Sequence, residues 1–202
     1  MWQALSNIES YLASLQLGLI ESPFLEGVFL ENPELISIGS GTVVEPGAYI
    51  RGPCFIGKNC QIRHGAYIRG NVLVGDGCVI GHATEIKHSI LLNRAKAAHF
   101  AFVGDSILGN DVNLGAGVKC ANLRLDGKPI EVRYQENSIA TGLRKFGAII
   151  GDSCQIGCNV VMNPGTLFGK GSNCFPCLTV GGFVPPQKLV RPPTRQSIVI
   201  DI

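Results

Sequence analysis

The stretch IGKNCQIRHGAYIRGNVLVGDGCVIGHATEI, residues 56–86, decides the fold. An aliphatic residue returns at every sixth position: Ile56, Ile62, Ile68, Val74, Ile80 and Ile86. Four positions after each stands something small or β-branched, as at Cys60, Ala66, Val72, Cys78 and Thr84. Backwards, the beat reaches through Ile50 and Val44 to Ile38; forwards it reads Leu92 and Ala98, then slips within RAKAAHFAFVGDS, residues 94–106. It resumes at Phe102, Leu108, Leu114 and Cys120, and returns at Ile150, Ile156, Met162, Phe168, Cys174 and Val180. A six-residue period belongs to a parallel β-helix, in which three faces make one triangular coil of about 18 residues. Residues 38–120 and 150–185 predict roughly six coils, a prism on the order of 30 Å tall at a rung spacing of about 4.8 Å. The period does not reveal the hand of the coil.

Two segments leave the beat. Trp2, Leu5, Ile8, Leu12 and Leu15 recur at helical spacing, so residues 2–16 are expected to form an amphipathic helix, with a linker through Pro23 and Pro33 completing an N-terminal unit over 1–37. Its expected role is to cap the open end of the prism or to contact another subunit. Residues 121–147 break the 38–190 body as a protruding hairpin arm, with Asp126-Gly127 as the expected turn, suited to a lid or subunit clasp. Residues 191–202 form a tail.

Composition narrows the function. Charged residues are 16% and the net charge is +2, without a basic stripe, which argues against nucleic acid as a partner. Nowhere do 18 apolar residues run together, so no membrane span is expected. The N-terminus has no basic n-region and carries Glu9 inside its apolar stretch, against an export signal; a cytoplasmic protein is expected. The eight cysteines fall largely in the small or aliphatic slots of the repeat, as buried thiols of a reducing compartment and not as a disulfide framework. Cys174-Phe-Pro-Cys177 is an isolated CxxC and reads as packing. His82 and His88 stand six apart, which points them from adjacent faces, so no zinc site is expected.

His99 stands at the slip, amid the segments TEIKHS, AAHFAFVGDS, NDVNLGAGVKCAN and RKFGAIIGDSCQIGCNV. Over about residues 38–190, and most specifically from Glu85 to Gly157, the chain resembles the C-terminal acetyltransferase half of the bifunctional N-acetylglucosamine-1-phosphate uridyltransferase / glucosamine-1-phosphate N-acetyltransferase family, without a counterpart of the nucleotidyltransferase domain. The resemblance implies an all-β, left-handed parallel β-helix that forms a homotrimer, with active sites between neighbouring prisms. It implies acetyl transfer from acetyl-CoA, without a metal, to the amine of an amino-sugar phosphate such as glucosamine-1-phosphate, and no uridyl transfer. Matched residue by residue, it implies His99 as general base, Glu85 as the carboxylate that orients it, and the backbone N–H of Ala116 as donor to the oxyanion. It implies Arg69, Lys87, Asn113 and Lys145 on the sugar phosphate, and Asn122 and Arg191 near the coenzyme. Two positions depart from the family: Phe102 stands where a tyrosine reaches the phosphate, and Cys158 where a serine contacts coenzyme. The competing readings are a non-catalytic scaffold or regulatory trimer, and an O-acetyltransferase.

Overall fold

A computed structural model describes residues 1–193; the remainder of the expected 191–202 tail lies outside the described residues. Among the described residues, twenty-four short strands wind into three parallel sheets of eight strands each, the three faces of a left-handed triangular β-helix. Face 1 starts at Phe29–Glu31, face 2 at Ile36–Ile38 and face 3 at Val43–Val44, and every later coil adds one strand to each. The prism therefore has eight rungs per face, where the period predicts roughly six coils. The difference lies chiefly at its start, where Phe29–Glu31 pairs with Tyr49–Arg51 ahead of the regular beat.

The beat residues fill the interior: Ile38, Ile50, Ile56, Ile62, Ile68, Ile80 and Ile86 are all at most 1% exposed. Each such side chain contributes roughly 1.5–3 kcal/mol by leaving water. Six of the eight cysteines are buried filler, and all eight are free thiols. Burial pushes the thiols of Cys54 and Cys120 up to about 12, which keeps them protonated and inert. At the tight corners, buried hydroxyls complete the backbone bonding. Thr84, for example, donates to the Ala97 carbonyl at 3.1 Å and accepts from the Ala101 N–H at 3.2 Å.

Below Ile86 the beat differs from the one counted in the sequence. The inward residues are Leu91, Ala97 and Val103, not Leu92, Ala98 and Phe102; Leu92 is 40% exposed. The slip is thus not at His99. It occurs twice, at the corner that joins face 1 to face 2. In the coil above, that corner turns on two residues of positive φ, Gly70 (+87°) and Asn71 (+51°). One coil down a single left-handed residue replaces the pair, His88 at +45°, and one coil further Asp105 at +47°. Each replacement drops one residue, so Ile80 to Ala97 and Ala97 to Leu114 are 17-residue coils. Polar residues tolerate the left-handed region better than β-branched ones, which is why His and Asp can stand there.

The N-terminal segment also departs from expectation. It is two short helices, α1 (Gln3–Ser6) and α2 (Ile8–Ser14), broken at Asn7, and the helices do not cap the end of the prism; the linker after them does, with Ile20 bridged to Ile38 and Phe24 and Val28 packed against the core. Leu5, Ile8 and Leu12 are buried against the outer side of face 2, where Leu73, Ile90, Ile107, Ile149 and Leu167 form an unbroken outward column across successive rungs. An apolar column of that length must be covered. The arm completes the cover. Its hairpin, Glu131–Tyr134 with Asn137–Ala140, reverses at Gln135 and Glu136, while Asp126-Gly127 makes a separate turn. Ile130 and Val132 join the helix cluster, and the Tyr134 ring lies 4.8 Å from that of Phe183 at the foot of the same column.

Candidate functional site

The corner that joins face 3 to face 1 carries a vertical ladder of side chains. Register pairs His99 with His82, which stands 18 residues below His64 in sequence, and extends through Ala116 to Cys158. The first two rings are structural. His64 Nδ1 donates to the Pro46 carbonyl at 2.6 Å, His82 Nδ1 donates to the His64 carbonyl at 3.0 Å, and the two rings stack 5.6 Å apart. His99 breaks this pattern. The carbonyl its ring would reach, that of His82, is bonded by the Phe100 N–H at 2.7 Å, with Phe100 at a φ of +36°. His99 is exposed and its imidazole makes no hydrogen bond among the described residues.

Beneath it, Gly117 donates to the His99 carbonyl at 3.0 Å, and the N–H of Ala116 makes no backbone bond among the described residues. The corner thus sets an uncommitted imidazole one rung from an unused amide. Beside it on face 1 lies an open groove of about 500 Å³ lined by Ala83, Glu85, Phe100, Phe102, Lys119 and Asn122. Three residues expected at the site, Glu85, Phe102 and Asn122, meet there.

Glu85 is placed differently from the expected pair with His99. In the single chain its carboxylate accepts from Arg69 Nη1 at 2.6 Å, and that bond raises the Arg69 pKa above the ordinary guanidinium value. Arg69 and Lys87 stand one coil apart at the far edge of face 1, as their 18-residue spacing requires. Lys87 turns along the outer surface to Asp105, at the corner between face 1 and face 2. Lys145 is exposed next to Phe146, whose N–H donates to the Asn122 carbonyl at 2.9 Å. Cys158 is exposed one rung below Ala116. Asn113 faces out from face 3, across the corner from the groove, and Arg191 follows the last rung of face 3. The single chain therefore sets His99, Ala116 and Cys158 at one corner and Glu85, Phe102 and Asn122 along the groove on the face beside it, and leaves Asn113 and Arg191 apart from them.

Sequence reading missed Phe100 and Lys119 in the groove, and Asp105 and His88 behind it. The signal for the last two was the pair of five-residue steps, Ile86 to Leu91 and Val103 to Leu108, hidden by carrying the six-residue count one position too far.

Residues 50–142 match the family model described as the GMPPB C-terminal domain. A bifunctional sugar-1-phosphate nucleotidylyltransferase/acetyltransferase of Sulfurisphaera tokodaii is 39% identical over 87 residues, 43% of this chain and 22% of that protein. The bifunctional protein GlmU of Methanococcus aeolicus is 39% identical over 90 residues, with the same coverage. The chain spans about a fifth of the length of these curated relatives. In fold, the hexapeptide prism is similar to a UDP-N-acetylglucosamine acyltransferase of Francisella novicida, with a TM-score of 0.61 at 17% identity over 85% of this chain and 66% of that one. Among the described residues no helix is long and apolar enough to cross a membrane.

Proposed function

We propose that this hexapeptide prism transfers an acetyl group from acetyl-CoA to the amine of an amino-sugar phosphate, with His99 as the general base. One observation carries the reading: of the three histidines at this corner, His99 alone is relieved of its ladder bond, by the Phe100 N–H. A ring kept free beside a groove can accept a proton. In the reaction, the imidazole takes a proton from the sugar ammonium, and the freed nitrogen attacks the thioester carbonyl. The tetrahedral oxyanion that results is suited to the Ala116 N–H. Collapse expels the coenzyme thiolate, which receives the proton from the imidazolium, while the nitrogen gives up its second proton to water as the neutral amide forms, so that one proton is released per turnover.

Arg69, Lys87, Asn113 and Lys145 serve the sugar phosphate in this reading, and Asn122, Cys158 and Arg191 the coenzyme. Phe102, which lacks a hydroxyl, favours an acceptor other than glucosamine-1-phosphate itself or a weaker grip on its phosphate. Asn113 sits across the corner from the groove, so a complete site needs a second copy whose face 3 approaches face 1. Face 2 is closed to other copies by the chain's own helices and arm, which leaves faces 1 and 3 for a homotrimer. The test is mass spectrometry of products after incubation with acetyl-CoA and a panel of amino-sugar phosphates. An acetylated amine supports the reading; an acetylated hydroxyl would replace it with O-acetyl transfer, and no product together with no thermal shift from either substrate would replace it with a scaffold.

A further inference from the structure

Four polar side chains meet at the corner between face 1 and face 2, behind the groove. Asp105 is their hub, with only 5% of its side chain exposed. Its Oδ2 accepts from Lys87 Nζ at 3.1 Å and from the Asn122 side-chain amide, and its Oδ1 faces His88 Nδ1 at 3.3 Å. The other ring nitrogen, His88 Nε2, lies 2.8 Å from the carbonyl of Leu5 in α1. A carboxylate on one side and a carbonyl on the other are both acceptors, so the two bonds coexist only when both ring nitrogens carry a proton. The backbone braces the same corner: Asp105 donates to the Lys87 carbonyl at 3.0 Å and Gly147 donates to the Asp105 carbonyl at 2.9 Å.

A carboxylate this deep is costly unless it is fully bonded, and here three donors converge on it. It is too covered to meet a ligand itself. Two of its donors, however, are groups assigned above to ligands. The Lys87 ammonium spends one of its three protons on Asp105 and keeps the others for an anion. The Asn122 amide spends its nitrogen inward, so its oxygen is the end left for the groove, an acceptor for an N–H of the ligand.

We infer that Asp105 is a positioning residue: it fixes Asn122 in the groove wall and Lys87 at the edge of face 1 beside it and, through His88, ties that wall to the N-terminal helices. The inference rests on the groove reading given above. Asp105, Lys87 and the Leu5 carbonyl are the charged and polar groups that face His88, and the Asp105 bond raises the His88 pKa above its ordinary value against the opposing effect of burial. The tie is therefore complete while His88 is protonated and Asp105 ionised, and its His88 side is lost as pH rises through that raised value. One reporter is built in: Trp2, the single tryptophan, stands 6.3 Å from the Phe146 ring, and Phe146 in turn holds the Asn122 backbone.

Two measurements test it. In the wild type, Trp2 emission should move to longer wavelength as pH rises above the ordinary histidine range, and His88→Gln should remove that dependence. Asp105→Asn should raise KM for glucosamine-1-phosphate and for acetyl-CoA about tenfold, with kcat changed less than about threefold, because charge-assisted bonds are lost while His99 is untouched. Emission that is flat with pH in the wild type, or unchanged KM values in a folded Asp105→Asn protein, would overturn the inference. Should that variant not fold, the wild-type titration decides alone. If the wild type turns over neither substrate, the groove reading fails, whereas the emission still decides the tie through His88.

Discussion

The N–H of Phe100 lies 2.7 Å from the carbonyl oxygen of His82, in the place that a histidine ring fills one coil earlier. This exchange of a ring donor for a backbone donor separates a structural histidine from an available one. His64, His82 and His99 share one residue type and one corner, yet only the last has nothing to hold.

His99→Ala is therefore expected to lower acetyl transfer by roughly 10²–10⁴, the usual contribution of a positioned base, with an unchanged unfolding midpoint. His82→Ala should do the reverse, costing about 1 kcal/mol of stability through the lost bond to His64 while sparing the rate. Steady-state rates and denaturant unfolding of the two variants check the pair; equal rate losses would erase the distinction.

Gly81→Ala is expected to be among the most damaging single changes. A Cβ at Gly81 would collide with the backbone carbonyl of Ala98 in the next coil, where the shortened 17-residue path brings the two strands close. Backbone cannot yield as a flexible side chain can. Soluble yield and thermal midpoint should both fall sharply, and a Gly81→Ala protein as stable as the wild type would show that the coil can re-register.

Leu12→Asp should uncover the column Leu73, Ile90 and Ile107. Leu12 is completely buried, and an unpaired carboxylate in its place has no partner, so α2 should detach at a cost of several kcal/mol to the docked state. Red-shifted Trp2 emission and concentration-dependent association measured by ultracentrifugation are the expected signs. The prism core, which the helices do not enter, should keep its far-ultraviolet circular dichroism.

Phe102→Tyr restores a hydroxyl on the groove wall opposite Glu85, its strand partner. Affinity for a phosphorylated amino sugar should rise several-fold, about 1 kcal/mol for one added hydrogen bond, as read by calorimetric titration. No change would place the phosphate elsewhere.

Acid should loosen the corner behind the groove. Burial alone would raise the Asp105 pKa, but the bonds from His88, Asn122 and Lys87 outweigh it and hold the carboxyl below its ordinary range. A depressed carboxylate stabilises the fold above its unfolded pKa, near 4, and that contribution disappears as pH falls through the lower folded value. Denaturant midpoints should decline on acidification less steeply in Asp105→Asn than in the wild type. His88, with its raised pKa, sets the opposite limit and releases its share as pH climbs.

Much of this protein was legible in the order of its residues. An aliphatic side chain every sixth position can be buried in only one way, inside a triangular coil, because each strand is too short to hide its apolar residue alone and the next rung hides it instead. The positions from Ile38 to Ile86, the buried cysteines and the helical spacing of Leu5, Ile8 and Leu12 all follow from that pattern. What the pattern could not say was where a residue is dropped. A corner can turn on two left-handed residues or on one, and the choice at His88 and Asp105 shifted the inward set from Leu92 and Ala98 to Leu91 and Ala97. Nor could it say which surface the helices cover, since an amphipathic stripe records that it is buried but not against what. Only the stacked coils brought His99 beneath His82, Asp105 between Lys87 and Asn122, and α1 onto His88, because these neighbours are a full turn or more apart along the chain and meet only once the rungs are in register.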